Sequence, residues 1–389
     1  MAEVYKLCNK FMHYEWGSLT LIPEFLDIKN DKNTVYAEMW MGTHKGAPSQ
    51  ISNKNLSEIS GDLPFLFKLL AIDKPLSIQA HPDKKQAEEG FKREDKAMLP
   101  VNAPSRNYKD DNHKPEIFCA IEPSILMAGF REPDKIRGSF LELASALPQL
   151  NEILSPFINI LKTGSLQQFF MTLFSLSKLE QEFLCSSINQ IEEIKTGENI
   201  SPEQWKLIKK FTSIYPYDPA ILSPLYLNCM SLMPCQAVYI PAGILHAYIN
   251  GFGVEVMANS DNVLRGGLTP KHVDAPQLMN ILKFVPFIPE IITPQGSNGI
   301  FYYHTPCKDF QLVRMKSGKN AQAFESCGPA ICLVTQGEVM IDGIAFKKGE
   351  SFFIKADGSP VLFNGNYSLF AASLFSGDYN PAQEGGRAQ

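Results

Sequence analysis

Residues 235–259 read CQAVYIPAGILHAYINGFGVEVMAN: a short apolar run, a Pro-Ala-Gly turn, then a longer run that begins with an imidazole, His246. Runs rich in β-branched and aromatic residues and punctuated by Gly and Pro are the mark of strands. The position of this stretch decides the architecture, because a helical block precedes it. From Arg137 to about Leu225 apolar residues recur three and four apart, as in GSFLELASALPQLNEILSPFINILKTGSLQQFFMTLFSLSKLEQEFLCSSINQIEEI. Within the block, SPEQWKLIKKF opens with Ser201 as a cap, Pro202 at the first helical position and Glu203 in the first turn. Strand texture on both sides of the block makes it an insertion in a β scaffold.

Upstream, from about Val35 to Ile125, the runs TVYAEMWMGTH, LPFLFKLLAI, PLSIQAHP and KPEIFCAIEPSILMAGF alternate with turn residues and predict an antiparallel barrel or sandwich. Downstream of Lys283, AICLVTQGEVMIDGIAFKKGESFFIKADG has Gly or Asp-Gly at its corners, the pattern of a meander. The expected organisation is a catalytic β-barrel from residues 1–136 and 226–284, a helical domain from 137–225, a C-terminal β domain from 285–378, and a mobile Gly-rich tail at 379–389.

With 389 residues, 44% hydrophobic and 20% charged, the chain has the composition of an ordinary globular protein of two or three modules. A net charge of -5 gives no footprint for nucleic acid or an anionic membrane, though a local basic pocket for a small anion is compatible with it. The N-terminal stretch lacks a signal-peptide pattern, and no run is long and apolar enough to span a bilayer, so a cytoplasmic location is expected. Eight cysteines without a CxxC pair read as small buried hydrophobes, not as a zinc site or disulfide framework.

The chemistry concentrates on a few positions. Gln79 and His81 are two apart, so on a strand they share a face. Glu116 closes NHKPE just before an apolar strand, and His246 follows the Pro-Ala-Gly turn. Two imidazoles, one carboxylate and one amide oxygen are N and O donors suited to zinc in a catalytic site. A single buried histidine is more often a satisfied core residue than a ligand, so the reading depends on its surroundings. These include Arg265 and Lys271 on the Gly-rich NVLRGGLTPK loop, which suit contacts to an oxyanion or phosphate, and Ser77 as a further phosphate contact. Glu255, flanked by apolar residues in GVEVM, is the first candidate base; Tyr248 and Lys114 share faces with His246 and Glu116. His113 is expected to orient Glu116.

The motifs QAHPDK (79–84), YKDDNHKPE (108–116), PAGILHAY (241–248) and GVEVMANSDNVLRGGLTPKHVD (253–274), with weaker HYEWGS (13–18) and AEMWMGTHKGAPS (37–49), together resemble the type I mannose-6-phosphate isomerase (phosphomannose isomerase) family. The resemblance implies cupin-type, jelly-roll β-barrels with an α-helical insertion. It also implies one Zn2+ held by Gln79, His81, Glu116 and His246, with Gln79 replacing the first histidine of the usual cupin pair. Arg265 is implied as catalytic, Lys271 as lining the substrate pocket, and Glu255, Tyr248 and Lys114 as lining the active site. The implied reaction interconverts mannose 6-phosphate and fructose 6-phosphate through an enediolate, upstream of GDP-mannose or in mannose catabolism, in a chain expected to be a monomer. PAGILHAYIN fits the second cupin signature, except that Cys235 stands where a glycine usually precedes it by six positions.

Two other classes compete. A cupin with two histidines and one carboxylate can be a non-haem iron oxygenase, but the amide ligand, Arg265 and Lys271 favour a phosphorylated polyol. A sugar-phosphate-binding regulator without turnover, or a cupin acting on another phosphosugar, are the remaining alternatives.

Overall fold

The computed structural model describes residues 3–194, 197–318, 321–325, 328–355 and 358–375. The expected tail at 379–389 lies outside them. The fold is mainly β with a helical insertion, as the sequence predicts. One antiparallel sheet runs in the order Ile291–Ile292, Ala237–Ile240, Glu116–Phe130, His246–Ala258, Phe65–Ile72, Glu38–Gly42, Lys10–Met12. Ile78–Ala80 joins His246–Ala258 at one end and Leu264–Gly267 on its other edge, and Leu227–Leu232 joins Glu116–Phe130.

Alternation along these strands separates core from site. In Phe65–Ile72, Phe65, Phe67, Leu69 and Ala71 enter an apolar cluster shared with Leu312, Ile331, Leu333, Phe353 and Phe370 of the C-terminal sheet. Lys68 and Leu70 therefore face the other way. Leu245, just before His246–Ala258, and Ala247 and Ile249 within it pack into the cluster built by the helical insertion, together with Ile78, Ala80 and Leu264. That leaves His246, Tyr248, Gln79 and Arg265 on the interior side, and Val254 and Val256 in the shared core put Glu255 there too.

The insertion runs from Pro133–Ala146 through Ser223–Tyr226. The helix Pro202–Ile214 starts as its sequence predicts: Ser201 accepts from the Gln204 backbone N–H, the Gln204 side chain returns the bond, and Pro202 occupies the first turn. A helix at Lys84–Lys96 is not foreseen. Its sequence KKQAEEGFKREDK holds too few apolar residues to show a period, and its start is set by Asp83, which accepts from the Gln86 N–H in a second capping box.

The C-terminal sheet has the order Glu3–Lys6, Ser351–Lys355, Ala330–Ile341, Val361–Ser373, Gln311–Lys316, Ile300–Tyr303, Gln295–Ser297. Its edge strand, Glu3–Lys6, comes from the start of the chain and pairs Val4 with Ile354. The chain thus begins in one β module before building the other.

Cys235 has φ +69, the left-handed conformation that favours glycine, so the turn keeps the shape the signature asks for although the residue has changed. Cys235→Gly is expected to stabilise the fold by up to about 1 kcal/mol, read as a rise in the thermal midpoint.

Candidate metal and substrate site

Three elements deliver the predicted ligands to one point inside the first sheet. Gln79 lies in Ile78–Ala80 and pairs in register with His246. His81 follows that strand, and Glu116 opens the strand Glu116–Phe130. His81, Glu116 and His246 are fully buried, and one ligand atom from each lies within 4.8 Å of the others. His246 Nε2 is 2.8 Å from Glu116 Oε1 and His81 Nε2 is 3.3 Å from Glu116 Oε2. The Gln79 amide reaches His246 Nε2 at 3.4 Å.

The outward nitrogens fix the tautomers. His81 Nδ1 is 2.7 Å from the Asn262 carbonyl and His246 Nδ1 is 3.0 Å from the Ile244 carbonyl. A carbonyl only accepts, so each Nδ1 carries the proton. The Nε2 atom of each ring is thereby turned toward the Glu116 carboxylate. Burial, and next the Lys114 ammonium, push His81 down to about 4, so that ring is neutral near pH 7. Burial alone would raise Glu116, but the Lys114 ammonium beside it is the largest pull holding it well below the usual carboxylate range. Two imidazole Nε2 atoms and a carboxylate converging on one point can hold a cation between them, and the donor set fits zinc.

Around this cluster runs a second set of buried charges. Lys114 Nζ lies 3.3 Å from Glu116 Oε2 and 3.5 Å from His81 Nε2, and the Tyr248 hydroxyl donates to Glu116 Oε1 at 3.0 Å. Glu255 accepts from Lys68 Nζ at 3.0 Å, and Glu38 lies 3.9 Å from the same ammonium. Glu38 also accepts from the Trp40 indole N–H. Burial works against the Lys68 ammonium, but Glu255 and Glu38 hold its pKa above the ordinary lysine value. Burial raises Glu255, and the Glu116 charge adds to this against the opposing pull of Lys68. Three buried carboxylates (Glu38, Glu116, Glu255) against two buried ammonium groups (Lys68, Lys114) leave one negative charge, again suited to a divalent cation.

Arg265 is paired in register with Gln79, directly beside the cluster. It is half-buried, burial lowers its pKa, and among the described residues no carboxylate or hydrogen-bond acceptor engages it. Lys271 is exposed; what desolvation it has, together with the positive charges of Arg265 and Lys109, pulls its pKa down. Ser77 is half-buried on the face of Gln79.

Sequence reasoning missed several members. Lys68 and Glu38 stand as single charges in the apolar runs FLFKLLAI and AEMWM, which is a readable signal of a paired interior. Lys109 lies inside the motif YKDDNHKPE, whose pattern assigns it no role. Asn262 is legible only in three dimensions: its carbonyl holds His81, and its side chain bonds the Lys109 N–H at 2.7 Å and the Asn112 carbonyl at 2.8 Å. His113 bonds Asp309 of the C-terminal module at 3.0 Å. It ties the two sheets together, in place of the bond to Glu116 expected from sequence. Asn262→Ala is expected to weaken metal affinity by about 10-fold or more by loosening the loop behind His81, measurable by competition with a chelator.

The family described as "Phosphomannose isomerase type I, catalytic domain" matches residues 4–61 and 57–133. The chain is 35% identical to the mannose-6-phosphate isomerase of Salmonella typhimurium over 94% of its own length and 98% of the relative's. It belongs to the type I phosphomannose isomerase family. The Escherichia coli mannose-6-phosphate isomerase is 33% identical over the same shares. The crystal structure of a zinc-bound mannose 6-phosphate isomerase superposes with a TM-score of 0.85 at 33% identity, covering 96% of this chain and 100% of that one. A second structure, bound with zinc and yttrium, gives 0.84 at 33% identity. The phosphomannose isomerase likeness therefore extends through the helical insertion and the C-terminal sheet, well beyond the motifs. No helix among the described residues is long and apolar enough to cross a membrane.

Proposed function

We propose that this chain interconverts D-mannose 6-phosphate and D-fructose 6-phosphate, with zinc held by Gln79, His81, Glu116 and His246. The observation that carries the reading is the pairing of Arg265 with Gln79: a half-buried guanidinium without a protein partner among the described residues sits beside a buried cluster of metal-ligating groups. A metal centre and an anion site side by side suit a phosphorylated sugar. When bound, zinc supplies Lewis-acid polarisation of substrate oxygens and a template for their orientation.

The chain's own residues do the rest. Glu255 takes the proton from the carbon next to the carbonyl of the open-chain sugar and returns it to the neighbouring carbon. Its raised pKa is the property a base for a carbon acid requires, since a stronger base holds the proton better between the two steps. Lys68 holds the Glu255 carboxylate in place, and Tyr248 does the same for Glu116. Lys114 presents an ammonium to the oxygen on which charge develops. Arg265 stabilises the enediolate and joins Lys271 and Ser77 in holding the phosphate.

The working unit in this reading is a monomer. The seven described cysteines are all free thiols, which supports a reducing compartment such as the cytoplasm. The test is isomerisation of mannose 6-phosphate by purified protein. Activity is expected to disappear on chelation and return with zinc. Zinc-replete protein that binds the sugar without turnover would replace this reading with a sugar-phosphate-binding protein.

A further inference from the structure

The loop that carries Arg265 and Lys271 takes an unusual path. After the strand Leu264–Gly267, Gly267 has φ +132 and Leu268 has φ +52. Leu268 is a buried, non-glycine residue, and a side chain held in the left-handed region persists only where its surroundings enforce it. Those surroundings come from the helical insertion. Asp218, at the start of the turn Pro219–Leu222, accepts the Leu268 N–H at 2.6 Å through Oδ2 and the Ala220 N–H at 2.9 Å through Oδ1. The Thr269 N–H dipole also acts on the same carboxylate, favouring its charged form. The contact is close: a Cβ on Gly267 would lie 2.2 Å from the Ala220 Cβ.

Besides this grip the loop is held by the Leu268 side chain, which packs into the core of the helical insertion. A cavity of about 640 Å³ lies behind it, lined by Tyr215, Asp218, Gly267, Thr269 and Pro270 among others. A loop freed from Asp218 has room to relax into that space, carrying Lys271 and the end of the Arg265 strand with it. Asp218 has no cationic partner among the described residues, so its charge is spent on backbone donors of this one loop and of its own turn.

We propose that Asp218 is a positioning residue for the isomerase site: by gripping the backbone N–H of Leu268 it sets where Arg265 and Lys271 meet the sugar phosphate, and it makes the helical insertion part of the anion-binding apparatus. The proposal rests on the reading of Arg265 and Lys271 as the anion contacts. Among its hydrogen bonds Asp218 has none to the metal cluster or to Glu255, so its effect is on phosphate affinity and not on metal content or on the proton-transferring group.

The test is Asp218→Asn in the full-length zinc enzyme. The amide keeps the shape but turns an NH2 toward one of the backbone donors, so one grip is lost. The KM for mannose 6-phosphate and the inhibition constant of inorganic phosphate are expected to rise about tenfold together. The acid limb of the pH profile and the zinc per chain stay near those of the parent. In a double-mutant cycle with Lys271→Ala the two KM effects combine less than multiplicatively. Asp218→Ser, whose hydroxyl cannot reach both donors, replaces the Asn variant if that variant gives too little folded protein. A lowered thermal midpoint with KM and phosphate inhibition unchanged, or fully multiplicative effects, would overturn the proposal while leaving the anion site intact. If Lys271→Ala and Arg265→Ala both leave phosphate inhibition unchanged, the anion-site reading itself fails and this proposal with it.

Discussion

Glu255→Gln is expected to lower kcat by about 10²- to 10⁴-fold, the usual contribution of a positioned general base, while zinc binding and fold persist. Gln keeps the shape and can still accept from Lys68 Nζ, so the 3.0 Å contact survives the change while basicity does not. The pH profile adds an independent check. As a base, Glu255 works only when ionised, and burial with the nearby Glu116 charge raises its pKa. Activity in the parent should therefore fall on the acid side at a pH above the roughly 4.3 of an ordinary glutamate. In the variant that limb should vanish from the residual rate. A kcat within about tenfold of the parent, equivalent to about 1.4 kcal/mol, would remove Glu255 from the role of base and leave Lys114 or Tyr248 to be tested.

Lys68→Met is expected to cost about 3–5 kcal/mol of stability, because it leaves Glu255 and Glu38 buried without their shared counter-ion. The substitution matches volume and keeps the strand apolar, so a cavity is not the cause of the loss. Urea unfolding at constant zinc gives the figure. The pH dependence has a definite sign. Lys68 has its pKa raised in the folded state, so its contribution is fully present below the unfolded lysine value near 10.4 and is lost only as pH rises through the folded value. The parent and Lys68→Met should therefore differ by a constant amount on this account through neutral pH. Removing the ammonium also removes the charge that lowers Glu255, so the acid limb of the surviving activity should move to higher pH. A variant as stable as the parent, with an unmoved acid limb, would show that the Glu38, Lys68 and Glu255 group is uncoupled from both folding and the base.

Much of the site is legible in the residues alone. The spacing of Gln79 and His81 implies a shared strand face, and in space both reach the cluster. The return of strand texture at 235–259 marks the helices as an insertion, and that is where the chain places them. Cys235 breaks a signature that its positive φ nonetheless preserves. The misses have a common cause. Lys68 and Glu38 announce themselves as charges in apolar runs, but only the strand registers place Lys68 opposite Glu255 on one side and Trp40 on the other. The helix Lys84–Lys96 lacks the apolar period that betrays the others, and His113 is close to its expected partner in sequence yet bonds another module.

The β scaffold, the helical insertion and the residue types of a zinc and phosphate chemistry can be read along the chain, because they depend on local periodicity and on motifs whose members lie a few residues apart. Folding adds which charges neutralise one another inside the barrel, the pairing of Val4 with Ile354 by which the first strand closes the far sheet, and the grip of Asp218 on the loop after Arg265. Each of those is a pairing between segments distant along the chain. Its energy depends on desolvation and on hydrogen-bond distances of about 3 Å, which no local pattern encodes and only packing creates.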